Sequence, residues 1–490
     1  MREWESQRSA WPALAATLAL VLATPLGGCM VSWEQVAAAL DIPKAYRAAP
    51  RDPDAALPSV VWWRGFRSSE LTTLIEEALA SNLDIAAAVA RIVQADAQAR
   101  IAGAPLLPSL DFSANATRSR ASRTTGTETT GGPSERTSYS TSLSASYEID
   151  FWGKNRGAMR AAEQLAVASR FDREVVALTT VVAVANTYFL ILEAQDRLRV
   201  ARGNLEAATR VFNLIKERFD AGTASALDIA QQESVVNTQR AAIPPLEQAV
   251  RQNMATLAVL IGRSPERVAI RGGTMNGIAI PRVTPGLPSD LLAQRPDIRE
   301  AEAQLAAANA NVHAARAAFF PSIRLTADGG YQSRALATLL RPESAFFNLA
   351  ANLAQPLLDG ARLQGEFDLQ RGRQDEALQL YRKAVINAFA DVNRALIAVQ
   401  QTTRREQLQR EVVNSTRRAF EISETRLREG TVDLVTVLNT QQALFQAQDA
   451  LAQARLDRLQ AVVGLFQALG GGWDKPKERA AAALNPSRSR

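Results

Sequence analysis

The strongest constraint on the fold is that the second half of the sequence repeats the first. Five pairs of positions recur in the same order at an offset of 207 to 213 residues. The pairs are Asp84 and Asp297, Pro108 and Pro321, Gly153 and Gly360, Gly222 and Gly430, and Gly262 and Gly470. Such spacing is typical of a chain built from two related units, so we expect approximate internal symmetry.

Each half predicts the same order of elements. An amphipathic helix comes first, then two short strands, one very long helix, a glycine turn and a second long helix. The first helices are predicted at 71–103 and 289–318, and the very long ones at 162–219 and 364–428. Pro244 and Pro245 break the partner helix of the first half, because proline lacks an amide hydrogen.

The very long helix of the second half carries a heptad pattern. Apolar residues between Leu378 and Val399 are spaced alternately by three and four positions. That spacing is typical of a left-handed coiled coil. The shorter of the two very long helices, at 162–219, would extend about 85 Å, far more than an ordinary globular helix.

Two strands are predicted in each half, at 109–118, 139–149, 322–331 and 346–356. From Tyr139 to Ile149 apolar and serine-rich positions alternate, as in a membrane barrel with an apolar outside and a polar inside. A soluble, half-buried sheet would give the same alternation. Four strands cannot close a barrel; eight from a dimer would fill with side chains, whereas twelve from a trimer leave a lumen.

The N-terminus resembles a bacterial lipoprotein signal. Arg2 and Arg8 precede an apolar run at 13–23, and Leu26-Gly27-Gly28 precedes Cys29. A lipobox cysteine is acylated through its thiol after the signal is cut; the alternative is a signal cut elsewhere and a free Cys29. No run of eighteen apolar residues follows, so we expect any membrane crossing to use strands. The export signal therefore favours the barrel over the soluble sheet.

Composition excludes several functional classes. The chain has one Cys and one His, which leaves no disulfide, no His cluster for a metal and no His-dependent triad. A net charge of +6 over 490 residues is too small to indicate nucleic-acid binding. Because no acid, base and nucleophile converge, we expect no enzyme activity and no cofactor beyond the lipid.

The order of elements and several short motifs resemble the TolC-type outer-membrane factors, in the NodT-like lipoprotein branch that serves RND efflux systems. The resemblance covers about 60–472. The matching residues are Trp62-Trp63 ahead of Glu70-Leu71, Asn82-Leu83-Asp84-Ile85, Arg218-Phe219-Asp220-Ala221-Gly222, Ile243-Pro244-Pro245-Leu246-Glu247, Arg295-Pro296-Asp297-Ile298 with Ala301-Glu302, and Phe320-Pro321.

The resemblance implies a mainly α-helical protein with a membrane β-barrel. Three chains would form a twelve-stranded barrel in the outer membrane of a Gram-negative bacterium and an α-helical tunnel in the periplasm. The tunnel tip would meet a periplasmic adaptor and an inner-membrane RND pump, and the duct would passively export small molecules. The alternatives are a duct for type I protein secretion and a lipid-anchored periplasmic coiled-coil scaffold without a pore.

These expectations give a domain plan. It has a signal peptide at 1–28, a lipid-anchored segment at 29–66, repeat 1 at 67–270, repeat 2 at 271–472 and a disordered tail at 473–490.

The two glycine turns lie at one end of the coiled coil, and the resemblance assigns adaptor docking to them. The tip residues are Gly222, Thr223, Gly430, Thr431 and Val432. The candidate gate residues are Asp228, Asp433, Thr436 and Asn439.

The gate residues have two interpretations. Asp228 can complete a capping box with Ser225, and Asp433 can cap the following helix. Alternatively, a trimer brings three copies of each carboxylate to the axis, where they would set ion preference. Thr436 and Asn439 stand where the family tends to place acidic residues, so an aspartate ring of the family's kind is in doubt.

Overall fold

The structure is a computed structural model that describes residues 61–120, 135–281, 283 and 288–471. All of them fall in one of the two units into which the chain divides, Leu40–Arg490. The predicted signal peptide, Cys29 and the C-terminal tail lie outside the described residues.

A short 3₁₀ turn, Trp62–Phe66, precedes repeat 1, which forms five helices and two strands. In chain order they are α1 Ser69–Ser81, α2 Leu83–Gly103, β1 Ser109–Arg120, β2 Glu135–Ile149, α3 Lys154–Asp220, α4 Ala226–Ala241 and α5 Ile243–Leu260. Repeat 2 has four helices and two strands among the described residues. They are α6 Pro288–Gln294, α7 Pro296–Ala317, β3 Ser322–Ser333, β4 Ala345–Ala354, α8 Arg362–Arg428 and α9 Leu434–Ala468.

The first helix of each repeat is in fact two helices. Asn82 separates α1 from α2, and its side chain caps α2 by accepting from the amides of Asp84 and Ile85. Arg295 takes an extended conformation between α6 and α7, just before Pro296. The residue before a proline is pushed out of the helical region, so the single helices predicted from periodicity are interrupted here.

The helices α3 and α8 are each 67 residues long. At 1.5 Å per residue each extends about 100 Å. In α8 the buried residues Leu378, Val385, Ala388 and Val392 follow the predicted heptad seam. The helix between Gly222 and Gly262 is divided at Ala242, and α5 has prolines in its first turn, where a missing amide hydrogen costs little.

The four strands form one antiparallel sheet in the order β1-β2-β3-β4. Three strands begin and end within two residues of their predicted bounds. The fourth, β2, begins four residues earlier than predicted, at Glu135. The register keeps apolar residues on one face: Phe112 opposes Leu143, which opposes Gly329, and Gly329 opposes Phe347. The sheet therefore has one apolar and one polar face, as the alternation predicted.

The helices form a wall in which α3 is central. Near the sheet their order is α2-α3-α7-α8, and farther away α4 and α5 pack on one side of α3 while α9 and α8 follow on the other. Within the part of the chain that the structure describes, the outermost elements have their main contacts on one side only. The wall is thus open at both edges.

The main core lies at mid-height, where the N-terminal turn packs on the long helices. Trp62 stacks on Phe466 with ring centroids 4.7 Å apart, and Phe66 contacts Phe189. Both Trp62 and Phe66 are buried. This packing holds the start of the described chain against α3 and α9.

Two helical segments, Ser69–Leu106 and Lys154–Asp220, are long and apolar enough to cross a membrane by length and composition alone. The most apolar part of the second is mostly buried against other parts of this chain. Its hydropathy is therefore explained by the core that it helps to form, because a helix buried on most sides is apolar all round.

Candidate conduit wall and periplasmic tip

The sheet has the surface of a barrel wall. On its apolar face Phe347, Leu349 and Leu353 are each at least 70% exposed in a single chain. On its polar face Asp111 and Asp328 stand in one row across the strands. An exposed apolar face backed by a polar face suits a sheet that separates lipid from an aqueous lumen.

The sheet and the helical wall are both incomplete in one chain. Among the described residues, β1 and β4 each pair on one side only. Unpaired strand edges are not tolerated in a membrane, so the barrel must be closed by strands from other copies. The outer helices α2 and α8 leave Leu83, Val93 and Ile386 more than 60% exposed, which marks the helical edges as further contact surfaces.

In each repeat, one hydrogen bond from a side chain to a backbone carbonyl joins the start of a helix to the end of the repeat. We call this hydrogen bond the latch. The side-chain amide of Asn82 donates through its Nδ2 to the carbonyl of Leu260 at the end of α5, over 2.8 Å. At the equivalent place Arg295 donates to the carbonyl of Ala468 at the end of α9, over 3.2 Å. Each latch therefore ties the start of one helix to the far end of its repeat and satisfies a helix-terminal carbonyl.

Arg295 also binds two carboxylates. It pairs with Asp297 at 2.7 Å and with Asp391 on α8 at 3.3 Å. Burial by itself would lower the pKa of Arg295, but hydrogen bonds and charge from both aspartates raise it on balance. This motif residue thus joins α7, α8 and α9.

A buried carboxylate joins α8 to α9. Glu406 is 2% exposed and pairs with Arg410 at 2.8 Å, Arg458 at 2.8 Å and Arg455 at 3.4 Å. Arg410 is its neighbour on α8, whereas Arg455 and Arg458 lie on α9. The charge is compensated by three arginines, as a buried ion requires.

A second ion-pair cluster joins α3 to α9. Arg197 binds Asp449 at 2.6 Å and Glu193 at 3.2 Å. Burial raises the pKa of Glu193, and the charge of Arg197 opposes that rise. With the Glu406 cluster, these pairs fix the mutual position of the three longest helices at mid-height.

Residues 271–275, between α5 and α6, pack across these helices; we call this segment the strap. The amide of Arg271 donates to Glu70 of α1, and that of Met275 donates to Asp196 of α3. Arg455 of α9 donates to the carbonyl of Met275 over 3.0 Å. The strap therefore binds helices of both repeats.

The first periplasmic tip, at the end of α3, is closed by a glycine in the left-handed region. Gly222 has φ +74°, and its amide donates to the Phe219 carbonyl. Thr223 returns to the Arg218 carbonyl through its amide, over 2.7 Å. This is the arrangement in which glycine at C′ ends a helix.

The next helix, α4, starts with a complete capping box. Ser225 accepts from the Asp228 amide, and the Asp228 carboxylate accepts from the Ser225 amide over 2.7 Å. The candidate gate residue Asp228 therefore serves as a helix cap in a single chain.

The second tip, at the end of α8, repeats this geometry. Gly430 has φ +76°, and the Thr431 amide donates to the Arg426 carbonyl over 2.9 Å. Asp433 caps α9 by accepting from the amide and hydroxyl of Thr436, over 2.9 and 2.5 Å. These hydrogen bonds lower the pKa of Asp433. Val432 lies between the turn and the cap and is half-buried.

One residue that the sequence analysis did not single out as a site joins the two tips. Arg218 donates to the carbonyl of Leu427, the last turn of α8, over 2.9 Å. The two hairpin tips are therefore side by side. The signal for this residue was present in the motif that ends at Gly222, but its partner lies in the other repeat.

A groove of about 800 Å³ lies between α4 and α9 just behind the tips. Val235, Leu438, Asn439 and Gln442 are among its lining residues, and no charged side chain lines it. Asn439 and Thr436 are both exposed on α9. The structure thus brings Asn439 near the other hairpin and leaves Asp228 and Asp433 engaged as caps.

Over 61–120, 135–281, 283 and 288–471 no group of His, Cys, Asp and Glu could hold a metal ion. Burial, with the charges of Arg316 and Arg160, lowers the pKa of His313 below its ordinary value. The arrangement is a wall with two open edges, a membrane face and a tip, and such a wall defines an oligomeric channel.

Comparisons with known proteins agree with this geometry. The sequence profile of the family "Outer membrane efflux protein" matches residues 74–263 and 287–471. The chain is 42% identical to the pyoverdine export outer membrane protein OpmQ of Pseudomonas aeruginosa, over 92% of this chain and 96% of that protein. It is 33% identical to the toluene efflux pump outer membrane protein TtgF of Pseudomonas putida, over 96% of this chain and 99% of the relative.

Solved structures share the fold. The CmeC outer membrane channel of Campylobacter jejuni superimposes with a TM-score of 0.83 at 25% identity, covering 91% of this chain and 97% of that one.

The chain belongs to the outer membrane efflux protein family. It is a channel protein and not an enzyme: an outer-membrane component of a tripartite efflux system. It works as a homotrimer with an adaptor protein and an inner-membrane pump. Channels of this family need no cofactor.

Proposed function

We propose that this chain forms a passive, gated duct that carries small molecules from an RND-type pump to the cell exterior. The observation that carries the proposal is the pair of matched Gly-Thr tips at one end of helices about 100 Å long. Two of its relatives are named for exporting pyoverdine and toluene, which favours small molecules over a type I protein substrate.

Pyoverdine is the first cargo to test, because relatives from two Pseudomonas species with 42% identity are named for its export. The experiment compares a deletion strain with the same strain carrying the gene, and measures the periplasmic and external amounts of pyoverdine and of a fluorescent efflux dye. Retention of the small molecules in the deletion strain supports the proposal. Normal efflux together with a loss of exported protein would favour type I secretion.

Adaptor docking is proposed at Gly222, Thr223, Gly430, Thr431 and Val432. The two turns share one geometry and carry exposed glycine and threonine, which leave the backbone accessible to a partner. Thr431→Arg adds bulk and charge at the contact and should reduce efflux while the trimer still assembles. Leu340→Arg is the matched control, because Leu340 is 75% exposed in the loop between β3 and β4.

The gate is proposed to lie one to two turns inside the tips. Thr436 and Asn439 are exposed on α9, and Asp228 and Asp433 flank them as charged caps. Three copies of a neutral pair would give a constriction with weak ion preference, bordered by carboxylates. Asn439→Asp should increase cation preference in single-channel recordings. An unchanged reversal potential would place the constriction elsewhere.

We propose a lipid on Cys29, supported by the Leu26-Gly27-Gly28 sequence that precedes it. This cleavage site sets the first two segments of the proposed domain plan, the signal peptide 1–28 and the lipid-anchored segment 29–66, whereas repeat 1 at 67–270 and repeat 2 at 271–472 rest on the repeated order of elements. Mass spectrometry of the mature N-terminal peptide tests the lipid, with Cys29→Ser as the control. An unmodified thiol at residue 29 would contradict it.

A further inference from the structure

Within one chain, the junction between barrel and tunnel is closed by an aromatic contact. Trp152 follows β2 and stacks on Phe320, which precedes β3, with ring centroids 4.6 Å apart and planes 19° apart. The Trp152 indole also donates to the Pro321 carbonyl over 2.9 Å, and Phe151 packs on its edge. The contact joins repeat 1 to repeat 2 at the membrane-facing end of the tunnel.

The internal repeat places equivalent residues at the two open edges of the chain. Phe151 corresponds to Leu358, 207 positions later, and Phe320 corresponds to Leu107, 213 positions earlier. The glycines that follow, Gly153 and Gly360, both adopt the left-handed region. The exit from β4 resembles the exit from β2, but a second left-handed residue, Ala361 with φ +64°, follows Gly360, so its helix begins one residue later.

These edge residues are strongly exposed in a single chain. Leu107 is 71% exposed, Leu357 89% and Leu358 99%. Leu107 lies two residues before β1, and Leu358 lies four residues after β4. The chain thus carries one closed copy of the junction and the two halves of an open copy.

We propose that Leu357 and Leu358 of one copy pack against Leu107 of the next copy and form a rim staple between subunits. Closing the barrel pairs β4 with the neighbouring β1, which runs antiparallel to it and brings the two sets of leucines to the same end of the sheet. A homotrimer then has six junctions, three aromatic within chains and three aliphatic between chains.

The aliphatic junction differs from the aromatic one for a structural reason. Asp359 stands at the position equivalent to Trp152 and caps α8, accepting from the Leu363 amide over 2.9 Å. An aspartate also has no ring with which to stack, so the exposed apolar side chains at this edge are those of the two leucines before it. The occupant of this surface is a second copy of the chain; membrane lipid is the competing occupant.

The first experiment replaces Leu107 and Leu358 together by cysteine and treats purified, SDS-resistant trimers with a short bis-maleimide. The staple predicts covalent dimers and trimers after full denaturation of the double variant. Each single variant shows any contribution of the native Cys29 and should give monomers. Assembled trimers of the double variant that remain monomeric on denaturing gels would overturn the staple and favour lipid contact.

A second measurement covers poor assembly of the double variant. If the staple buries Leu358, Leu358→Glu should lower the trimer-to-monomer ratio at least tenfold, which corresponds to a loss of more than about 1.4 kcal/mol. Leu340 is also strongly exposed in one chain but lies in the loop between β3 and β4, so Leu340→Glu should leave that ratio unchanged. Equal ratios for the two variants would refute the staple.

Discussion

The replacement Glu406→Gln removes the charge that joins α8 to α9. Glu406 is 2% exposed and accepts from Arg410, Arg455 and Arg458. Arg455 is itself largely buried, so the neutral amide leaves like charges close together in a poorly hydrated place. Removing one partner of a buried ion pair typically costs about 3–5 kcal/mol.

The amide of glutamine retains some hydrogen bonding, so we expect the lower end, about 3 kcal/mol per chain. With an unfolding entropy of about 2.1 cal/mol/K per residue over the chain, this corresponds to a melting temperature about 3 °C lower. The assay is thermal unfolding of the purified trimer followed by circular dichroism, at pH 7 and fixed protein concentration.

The matched control is Glu411→Gln, at an exposed position on the same helix. Surface substitutions of this kind usually change the unfolding free energy by no more than about 0.5 kcal/mol. A Glu406→Gln shift no larger than that of Glu411→Gln would refute the view that this cluster fixes α8 against α9.

Three further predictions follow from the wall and its tips. Gly262→Ala should reduce the yield of folded trimer, because Gly262 has φ +71° and an added Cβ would lie 2.3 Å from the Ser81 carbonyl oxygen. Gly203→Ala is the control, since a Cβ there meets no atom within 4 Å and the yield should not fall. Leu349→Arg on the lipid face should cost about 2–4 kcal/mol and lower the heat-modifiable trimer in outer-membrane fractions. Hydrogen bonds lower the pKa of Asp433, so its carboxylate stays charged and keeps capping α9 as the pH falls to the ordinary aspartate pKa of about 3.9. The cation preference of wild-type pores should therefore persist down to that pH, and it should be weaker in Asp433→Asn.

Most of the fold could be predicted from the periodic spacing of apolar residues. The heptad spacing from Leu378 to Val399 and the alternation from Tyr139 to Ile149 both identify the buried or apolar face, because side-chain direction follows from backbone geometry. The single helix predicted at 71–103 was wrong at Asn82, because the alanine-rich periodicity continues on both sides of a residue type that favours the N-cap position. The predicted caps at Ser225 and Asp433 are present, because capping depends on neighbours three residues away.

Long-range polar contacts could not be predicted. A glutamate inside a long helix is usually solvated, and nothing near Glu406 in the sequence indicates arginines about fifty positions later. The role of Arg295 as a latch likewise depends on Ala468, which lies 173 positions away. Such pairs are set by how the two repeats pack, and the local pattern contains no information about it.

The central claim is that the two tips receive an adaptor of a small-molecule efflux pump. The most direct test places a photo-reactive amino acid at Val432 in living cells and identifies the captured proteins by mass spectrometry. We expect capture of the adaptor of an RND-type pump from Val432, and no such capture from the same amino acid at Leu340. Capture of only neighbouring copies of the chain, or of the adaptor of an ATP-driven protein-secretion system, would contradict it.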